Sequence, residues 1–258
     1  MKAVFISDAH LKYAGDERYG RLIRFLNDLQ CGKARSLVHD RELGRDAAPI
    51  DDLYILGDFF DFWFCRPQNI HPEFQEVIRK LVELQAGGVG IHLCEGNHDF
   101  FMKEYFQDVL GMDVFEERAT IEMDQVRTFI AHGDTLDNTN IFYLMLRKIL
   151  RSQVFYHLHH LVPSSVLWAI GGISSATSKT ITVENGDALV EKMFFCATEK
   201  LFQDHDTVIL GHCHKPVLRY FDVANKKKTF ITLGDWIVHY SFLYYENRKF
   251  FMSYDQPL

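Results

Sequence analysis

Side chains that can bind a divalent cation lie in five short segments of the chain, and each segment directly follows an apolar run. The candidate ligands are Asp8, His10, Asp58, Asn97, His132, His212 and His214. Carboxylate, amide and imidazole groups suit hard or borderline divalent ions, and the absence of thiolate among them argues against a structural zinc site. Because seven donors exceed the needs of one ion, two ions that share a carboxylate explain the set better.

The apolar runs before these segments have the length and composition of buried β-strands. They cover residues 4–6, 53–56, 90–94, 129–131 and 208–210. Gly57 lets the backbone turn sharply after the second run, so that Asp58 can reach into a cleft. Five strand ends that carry ligands can converge only if the strands lie side by side. The sequence therefore predicts one cleft at a shared edge of the strands.

The spacing of the ligands within two segments gives a further indication. Asp8 and His10 are two residues apart, so in extended geometry both side chains point to one face, although a turn aspartate and a surface histidine would produce the same pattern. His212 and His214 have the same spacing, so each could serve a different ion. Asp61 lies in an aromatic run and needs a polar partner or a cleft; we assign it no role from the sequence.

Composition limits the classes of protein that the chain can belong to. Its 258 residues, 47% hydrophobic and 14% aromatic, suit one large globular domain or a domain with an insertion. The net charge of −7 disfavours nucleic acid as a partner. Five cysteines without a CxxC pair favour a reduced, intracellular protein. We expect neither a cleaved signal nor a transmembrane helix, since strand 1 begins at once and no apolar run reaches 18 residues.

The character of the sequence changes over residues 139–183, which contain basic but no acidic residues. A wide apolar stripe runs from residue 141 to 161 and is interrupted by Arg147, Lys148 and Arg151. This pattern is typical of a helical hairpin packed on the core, and also of a basic, apolar cap that contacts a membrane surface or a lipid. Three histidines of this stretch are interpreted as helix-surface residues, not as ligands: His157, His159 and His160.

Taken in order, Asp-x-His, Gly-Asp, Gly-Asn-His-Asp, His-Gly and Gly-His-x-His resemble the motifs of the calcineurin-like metallophosphoesterase superfamily. The resemblance implies an α/β (α+β) fold, a four-layer αββα sandwich of two mixed β-sheets flanked by helices. It implies a single domain over residues 1–258 with a helical insertion, or lid, at about 139–183. It also implies two ligand sets that share Asp58 as the bridge: Asp8, His10, Asp58 and His214 for one metal ion, and Asp58, Asn97, His132 and His212 for the other. By the same resemblance His98 is the catalytic imidazole of the cleft, and Asp99 orients it.

Two divalent ions roughly 3.5–4 Å apart lower the pKa of a bridging water, neutralise phosphate charge and hold the phosphorus in line for attack. A protonated His98 could stabilise the phosphoryl oxygens or donate a proton to the leaving oxygen. The resemblance thus implies a metal-dependent hydrolase of phosphoric esters or pyrophosphates.

The segment His132-Gly133-Asp134-Thr135-Leu136 and the insertion after it resemble one branch more closely, the UDP-2,3-diacylglucosamine diphosphatases of lipid A synthesis. That branch cleaves the pyrophosphate of a nucleotide-linked diacyl sugar to UMP and diacylglucosamine 1-phosphate. The resemblance implies Mn²⁺, with Zn²⁺ or Fe as alternatives, a lid that holds acyl chains, and a cytoplasmic protein peripheral to the inner membrane. We predict substrate contacts for Lys179, Arg147 and Arg151.

One position departs from this branch, which usually has arginine where this chain has His98. Arginine is a fixed cation, whereas histidine can transfer a proton. Two alternatives therefore stay open. One is a soluble metallophosphoesterase that acts on another nucleotide, phosphodiester or phosphomonoester, with a merely structural insertion. The other is a non-catalytic scaffold that keeps the fold and uses the insertion to bind a partner.

Overall fold

The structure of the protein is a computed structural model. It describes residues 1–38, 48–63, 65–136, 141–159 and 186–255, and for residues 158 and 159 it describes the backbone alone. Its strands are β1 (Lys2–Ile6), β2 (Asp52–Leu56), β3 (Gly90–Cys94), β4 (Asp113–Phe115), β5 (Arg118–Met123), β6 (Val126–Ala131), β7 (Thr207–Leu210), β8 (Pro216–Val223), β9 (Lys226–Leu233), β10 (Ser241–Glu246) and β11 (Lys249–Tyr254). Its helices are α1 (Glu17–Gln30), α2 (Ala34–Leu37), α3 (Gln75–Ala86), α4 (Lys103–Phe106), α5 (Ile141–Leu150), α6 (Gln153–His159) and α7 (Gly186–Lys200).

The described strands form two mixed sheets. The first has the order β11-β10-β1-β2-β3-β4, in which β1 to β4 are parallel and β10 and β11 are antiparallel. The second has the order β5-β6-β7-β9-β8, with β6, β7 and β9 parallel. In both sheets the strands that precede a ligand segment run in parallel, so their carboxyl ends lie at one edge.

Three buried clusters separate the layers. The cluster between the sheets contains inward side chains of both, including Phe5, Leu56, Ile130 and Ile231. A second cluster packs α1 and α3 on the outer face of the first sheet, and a third packs α7 on the outer face of the second. This arrangement is the four-layer αββα sandwich, and the predicted fold is confirmed.

Local sequence explains the helix that covers the first sheet. The Asp16 side chain accepts a hydrogen bond from the backbone amide of Arg18 and so caps the amino terminus of α1. Its apolar residues recur at helical spacing, and Leu22, Leu26 and Leu29 are buried. The same spacing in the sequence predicts a helix over 16–29, and α1 agrees with this prediction within one residue at each end.

Other elements differ from the sequence prediction. The sequence predicts a helix over 100–110, but α4 begins only at Lys103, because Phe101 has a left-handed backbone (φ 61°) that a helix does not allow, and it ends at Phe106. The three-residue strand β4 was not predicted, and the predicted loop over 31–50 contains the single turn of α2. The insertion expected at about 139–183 is described only over 141–159, where it forms α5 and α6. Its full extent, and the single-domain organisation, stay predictions.

Within the described part of the chain, no helix combines the length and the apolar character that crossing a bilayer requires.

Candidate metal centre

The loops after β2 and β3 are held together by one buried carboxylate. Asp99 accepts four backbone hydrogen bonds, from the amides of Asp58 (2.9 Å), Phe59 (2.7 Å), Phe60 (3.1 Å) and Gly96 (2.9 Å). A carboxylate with four backbone donors satisfies groups that a tight turn would otherwise leave unpaired. Asp99 therefore fixes the position of the turn that carries Asp58 against the turn that carries Asn97.

Other hydrogen bonds join the edge of the first sheet to the edge of the second. The backbone amide of His212, after β7, donates to Oδ2 of Asp8, after β1, at 3.0 Å. Within the second sheet, the amide of Gly211 donates to the carbonyl of His132 at 2.9 Å. The backbone amide of Trp236 donates to the carbonyl of Asp8 at 3.2 Å. The strand ends predicted to converge thus form one continuous surface made from both sheets.

Three groups of side chains at this edge bring potential ligand atoms within 4.8 Å of one another. They are Asp8, His10 and His214; Asp8, Asp58 and His132; and His10, Asp61 and His98. Oδ2 of Asp58 lies 3.6 Å from Nε2 of His10 and 3.5 Å from Nε2 of His132. One carboxylate oxygen therefore lies between the two groups of imidazoles, as expected for a carboxylate that bridges two ions. The ring of His212 lies beside that of His132, with centroids 5.0 Å apart.

The contacts of His132 provide a test of whether a cation suits this cluster. Its Nδ1 lies 2.9 Å from the carbonyl oxygen of Leu56, and so it carries a proton and donates there. Without a second proton Nε2 is a lone pair that faces the acceptor Oδ1 of Asn97 at 3.0 Å, so this contact needs a cation, either a proton on Nε2 or a metal ion at the two atoms. Oδ1 of Asp8 is also buried and has no hydrogen-bond partner among the described residues. Both features suit bound divalent cations: the contact between Nε2 of His132 and Oδ1 of Asn97, and the Asp8 oxygen that has no hydrogen bond.

The electrostatic environment agrees with this fit. Burial raises the pKa of Asp8, and the imidazoles of His214 and His132 only partly oppose it. Burial also favours the acid form of Asp58, but the adjacent imidazoles of His132 and His98 hold its pKa well below the usual value. Burial lowers the pKa of His132, but the carboxylates of Asp58, Asp8 and Asp134 together outweigh burial and raise it to about 10. Carboxylates that stabilise a proton on a buried imidazole would also stabilise a metal cation bound there.

The backbone is strained at these positions. Five of the seven candidate ligands have left-handed φ values: Asp8 (54°), His10 (45°), Asp58 (51°), His212 (69°) and His214 (56°). Each such residue costs on the order of 1 kcal/mol or more, and strain of this kind clusters at functional sites. The hydrogen bonds between the loops hold these residues in conformations that aim their side chains at one another.

Two glycines permit the close approach of the loops. A Cβ at Gly57, whose φ is +82°, would lie 2.6 Å from Nδ1 of His132. A Cβ at Gly96 would overlap the carboxylate of Asp58. A side chain at either position would push a candidate ligand out of place, which explains why the sequence has glycine before Asp58 and before Asn97.

His98 lies at the edge of the cluster, but its orientation differs from the expectation. Its Nδ1 lies 2.9 Å from the backbone carbonyl of Asp61, whereas the carboxylate that we expected to orient it, Asp99, holds loop amides instead. Nε2 of His98 points to the cluster, 3.9 Å from Oδ2 of Asp58. Asp61, which the sequence left unassigned, is buried with its carboxylate 3.7 Å from Nδ1 of His10.

Asp235 is a second residue that sequence reasoning missed. Its Oδ2 lies 3.6 Å from Nδ1 of His214 and 3.1 Å from Nδ1 of His239, while its Oδ1 accepts three backbone hydrogen bonds. The contact to His214 is typical of a carboxylate that orients a metal-binding imidazole. The signal was present, because Gly234-Asp235 follows a buried strand in the same way as Gly57-Asp58.

The cap formed by α5 and α6 carries two of the three predicted substrate contacts. Arg147 forms an ion pair with Asp134 at 2.8 Å, and Arg151 forms one with Glu95 at 2.8 Å. Burial opposes ionisation of Asp134, but the adjacent His132 and Arg147 keep its pKa below the usual value. The third predicted contact, Lys179, lies outside the described residues, as does the side chain of His159 and all of His160.

A cavity of about 250 Å³ separates the cap from the cluster. Its apolar wall comes from Phe62, Phe100, Tyr143, Leu146, Leu150 and Phe155. Its polar lining comes from Asn97, His98, Arg147 and Arg151. An apolar chamber therefore opens directly onto two of the residues predicted for catalysis and metal binding.

The outer surface of the cap is apolar as well. The side chains of Ile141, Phe142, Met145 and Ile149 on α5 and Val154 on α6 are exposed. His157 is also exposed, in agreement with its interpretation as a surface residue. Exposed large apolar side chains in a row are unusual for a surface that faces only water.

Comparison with known proteins is consistent with this geometry. The sequence pattern of the family described as calcineurin-like phosphoesterase matches residues 1–216, which include every candidate metal ligand. A Vibrio atlanticus protein named UDP-2,3-diacylglucosamine hydrolase is 26% identical over 257 residues, 97% of this chain and 96% of its own length. A protein of the same name from Nitrosococcus oceani is 29% identical over 217 residues, 82% of this chain and 86% of its own length. Among solved structures, an archaeal phosphodiesterase aligns over 98% of both chains, with 15% identity and a TM-score of 0.46.

Proposed function

The chain belongs to the calcineurin-like phosphoesterase family and is a hydrolase of phosphoester or pyrophosphate bonds, and we propose that its substrate is UDP-2,3-diacylglucosamine or a related lipid-linked nucleotide. Cleavage of the pyrophosphate would give UMP and diacylglucosamine 1-phosphate. The observation that carries the proposal is the largely apolar cavity that Asn97 and His98 help to line, because it offers an acyl chain an apolar space beside the candidate hydrolytic residues. The names of the Vibrio and Nitrosococcus relatives support the same substrate.

The family implies a centre with two divalent metal ions, and the described residues include candidate ligand groups for it. We propose that Asp8, His10, Asp58 and His214 hold one ion, and that Asp58, Asn97, His132 and His212 hold the other. When bound, the two ions supply an activated water and neutralise phosphoryl charge. Mn²⁺ is the ion that we propose.

The protein's own side chains would orient the substrate and donate a proton. Nδ1 of His98 donates to the Asp61 carbonyl, so its Nε2 faces the cluster and would contact a phosphoryl or leaving oxygen there. In its protonated form, Nε2 would donate to that oxygen and stabilise the developing charge. Asp99 has a positioning role in this proposal, since it holds the loop that presents His98. Substrate contacts by Lys179, Arg147 and Arg151 stay a prediction.

We propose in addition that the protein acts at the surface of the inner membrane, on its cytoplasmic side. The exposed apolar side chains of α5, among them Ile141 and Phe142, would dip into the lipid, and the basic residues of the cap would lie near anionic headgroups. A lipid substrate could then enter the cavity without crossing water.

The test is hydrolysis with added Mn²⁺, comparing UDP-2,3-diacylglucosamine with bis-p-nitrophenyl phosphate, a small diester without acyl chains. We expect rapid release of UMP from the lipid substrate and slow hydrolysis of the diester. Hydrolysis of the small diester alone would retain the metallophosphoesterase chemistry and overturn the lipid substrate. It would favour another nucleotide or phosphodiester, and His98, where the lipid A branch usually has arginine, would be the first residue to exchange.

A further inference from the structure

The helix α5 is joined directly to the loop that carries Asn97 and His98. Nη2 of Arg151, which follows α5, donates to the carbonyl oxygen of Gly96 at 2.6 Å, and its Nη1 donates to Oε2 of Glu95 at 2.8 Å. The guanidinium also lies over the ring of Phe100, 5.2 Å from its centroid. Arg151 therefore contacts this loop on both sides of Asn97.

The side chain of Glu95 joins the two ends of the same loop. Its Oε1 accepts a hydrogen bond from the backbone amide of Met102 at 2.8 Å, while its Oε2 accepts from Arg151. The Glu95 side chain is only 3% exposed, so its charge depends on these partners and not on water. One buried ion pair thus fixes both ends of residues 95–102.

A second arginine, Arg147 on α5, holds the loop after β6. Nε of Arg147 donates to Oδ2 of Asp134 at 2.8 Å, and the hydroxyl of Tyr143 donates to the same oxygen at 2.6 Å. Asp134 lies two residues beyond His132. One helix is therefore attached to two loops, and each loop carries a candidate ligand of the same metal ion.

The two ligands meet between those attachments, since Oδ1 of Asn97 lies 3.0 Å from Nε2 of His132. We infer that Arg151, paired with Glu95, and Arg147, paired with Asp134, are positioning residues. Through them the cap holds the loops of Asn97 and His132, two of the ligands proposed for the same metal ion. The inference rests on the metal centre proposed above. The two arginines then act in the absence of substrate, because they keep the loops of Asn97 and His132 at the separation that one ion requires.

The consequence is a coupling between cap and metal. Loss of Arg151 removes its hydrogen bonds to the Glu95 carboxylate and to the Gly96 carbonyl, so the segment after α5 no longer holds the 95–102 loop in place. Asn97 then leaves its place opposite His132, and the affinity for that ion falls most, because Asp8, His10 and His214 of the other ligand set lie outside this loop. Outer contacts of metal ligands typically contribute about 10–100-fold in affinity or activity.

The experiment uses Arg151→Gln, with Lys148→Gln as the matched control, because Lys148 is an exposed basic residue on the same helix. Mn²⁺ affinity of the metal-free protein is measured by competition with a fluorescent chelator. Turnover of bis-p-nitrophenyl phosphate is measured over a range of Mn²⁺ concentrations. We expect Arg151→Gln to bind one of two Mn²⁺ ions at least tenfold more weakly, and its diester turnover to recover at high Mn²⁺. Lys148→Gln should match the unsubstituted protein.

A second variant guards against misfolding. Glu95→Gln keeps the shape of the side chain and removes its charge, and we expect a weaker shift of the same Mn²⁺ affinity. Amide hydrogen exchange of the metal-free variants should be faster at residues 95–102 and unchanged in β1 and β7. Normal affinity for both ions in Arg151→Gln and Glu95→Gln would overturn the inference alone, even if KM for the lipid substrate rose. Failure of the unsubstituted protein to bind Mn²⁺ would overturn the proposed metal centre as well.

Discussion

The strand-end cluster and the α5–α6 cap are built in opposite ways. The carboxylates and most imidazoles of the cluster are buried, and they are held by hydrogen bonds between loops of both sheets. Within α5, which the structure describes in full, no residue is buried, and the side chains of Ile141 and Phe142 are 65% and 87% exposed. The cap contacts the cluster through a small number of polar side chains and encloses a cavity beside it.

This difference separates the two parts of the proposed function. The sheets fix the candidate ligands, so the chemistry depends mainly on the core, and the cap affects it only through Arg147 and Arg151, which contact the ligand loops. The cap presents apolar surface to the cavity on one side and to the outside on the other, so it would determine which phosphoester is bound. Substitutions in the cluster should therefore affect every substrate, and substitutions of the apolar residues of the cap should distinguish between substrates.

The largest effect is expected for Asp58→Ala, which removes the proposed bridging ligand. Metal ions contribute several kcal/mol of transition-state stabilisation, so we expect kcat to fall on the order of a thousandfold or more for the lipid and the small diester alike. The exposed Asp222→Ala on β8 is the control and should retain full activity. Near-normal turnover by Asp58→Ala would remove the basis for a two-metal mechanism.

His98→Gln should have the next largest effect. Loss of a proton donor that acts in the transition state lowers kcat by roughly 10²–10⁴-fold. Because His98 is proposed to contact substrate and not metal, the Mn²⁺ content measured by mass spectrometry should stay the same. The exposed His157→Gln on α6 should be silent. If His98→Gln lost metal together with activity, His98 would be a ligand of the cluster instead.

Phe155→Glu tests the cavity. The side chain of Phe155 lines the apolar wall, and burial of one such group contributes roughly 1.5–3 kcal/mol. A charge there should raise KM for UDP-2,3-diacylglucosamine about tenfold or more and leave the kinetics of bis-p-nitrophenyl phosphate within about twofold. Equal losses on both substrates would identify Phe155 as a residue of the core and the cap as merely structural.

Phe142→Glu tests the outer face of the cap and should have the smallest effect on turnover. The side chain of Phe142 points away from the protein, so the charge should weaken binding to anionic phospholipid vesicles by about threefold to tenfold. Hydrolysis of the detergent-dispersed substrate should stay unchanged. Phe142→Leu, which keeps the apolar character, should bind vesicles normally. Unaltered sedimentation of Phe142→Glu with vesicles would argue against membrane contact through α5.

The sequence predicted the cluster better than the cap, and the reason is physical. Candidate ligands such as Asp58 and Asn97 lie just after strands, so the pairing of the strands determines which of these side chains come close together. The partners of Arg151 and Arg147 could not be predicted this way, because Glu95 and Asp134 come into reach only when the helix packs against the loops.

The missed residues around the cluster have a similar explanation. The role of Asp99 was misplaced because a carboxylate next to His98 in sequence points to the opposite side of the loop, toward the amides of Phe59 and Phe60. Asp235 lies 21 residues beyond His214, and only the pairing of β9 with β7 brings the end of β9 to the cluster. The contact of Asp99 leaves no local pattern in the sequence, and the Gly234-Asp235 pattern does not by itself show that Asp235 reaches His214.

The most direct test of the central claim is a calorimetric titration of the metal-free protein with Mn²⁺, performed with the unsubstituted chain and with Asp58→Ala. We predict two Mn²⁺ ions per unsubstituted chain and a loss of affinity at both positions in Asp58→Ala, since one carboxylate serves both. A single bound ion, or two ions bound by Asp58→Ala with unchanged affinity, would contradict the account.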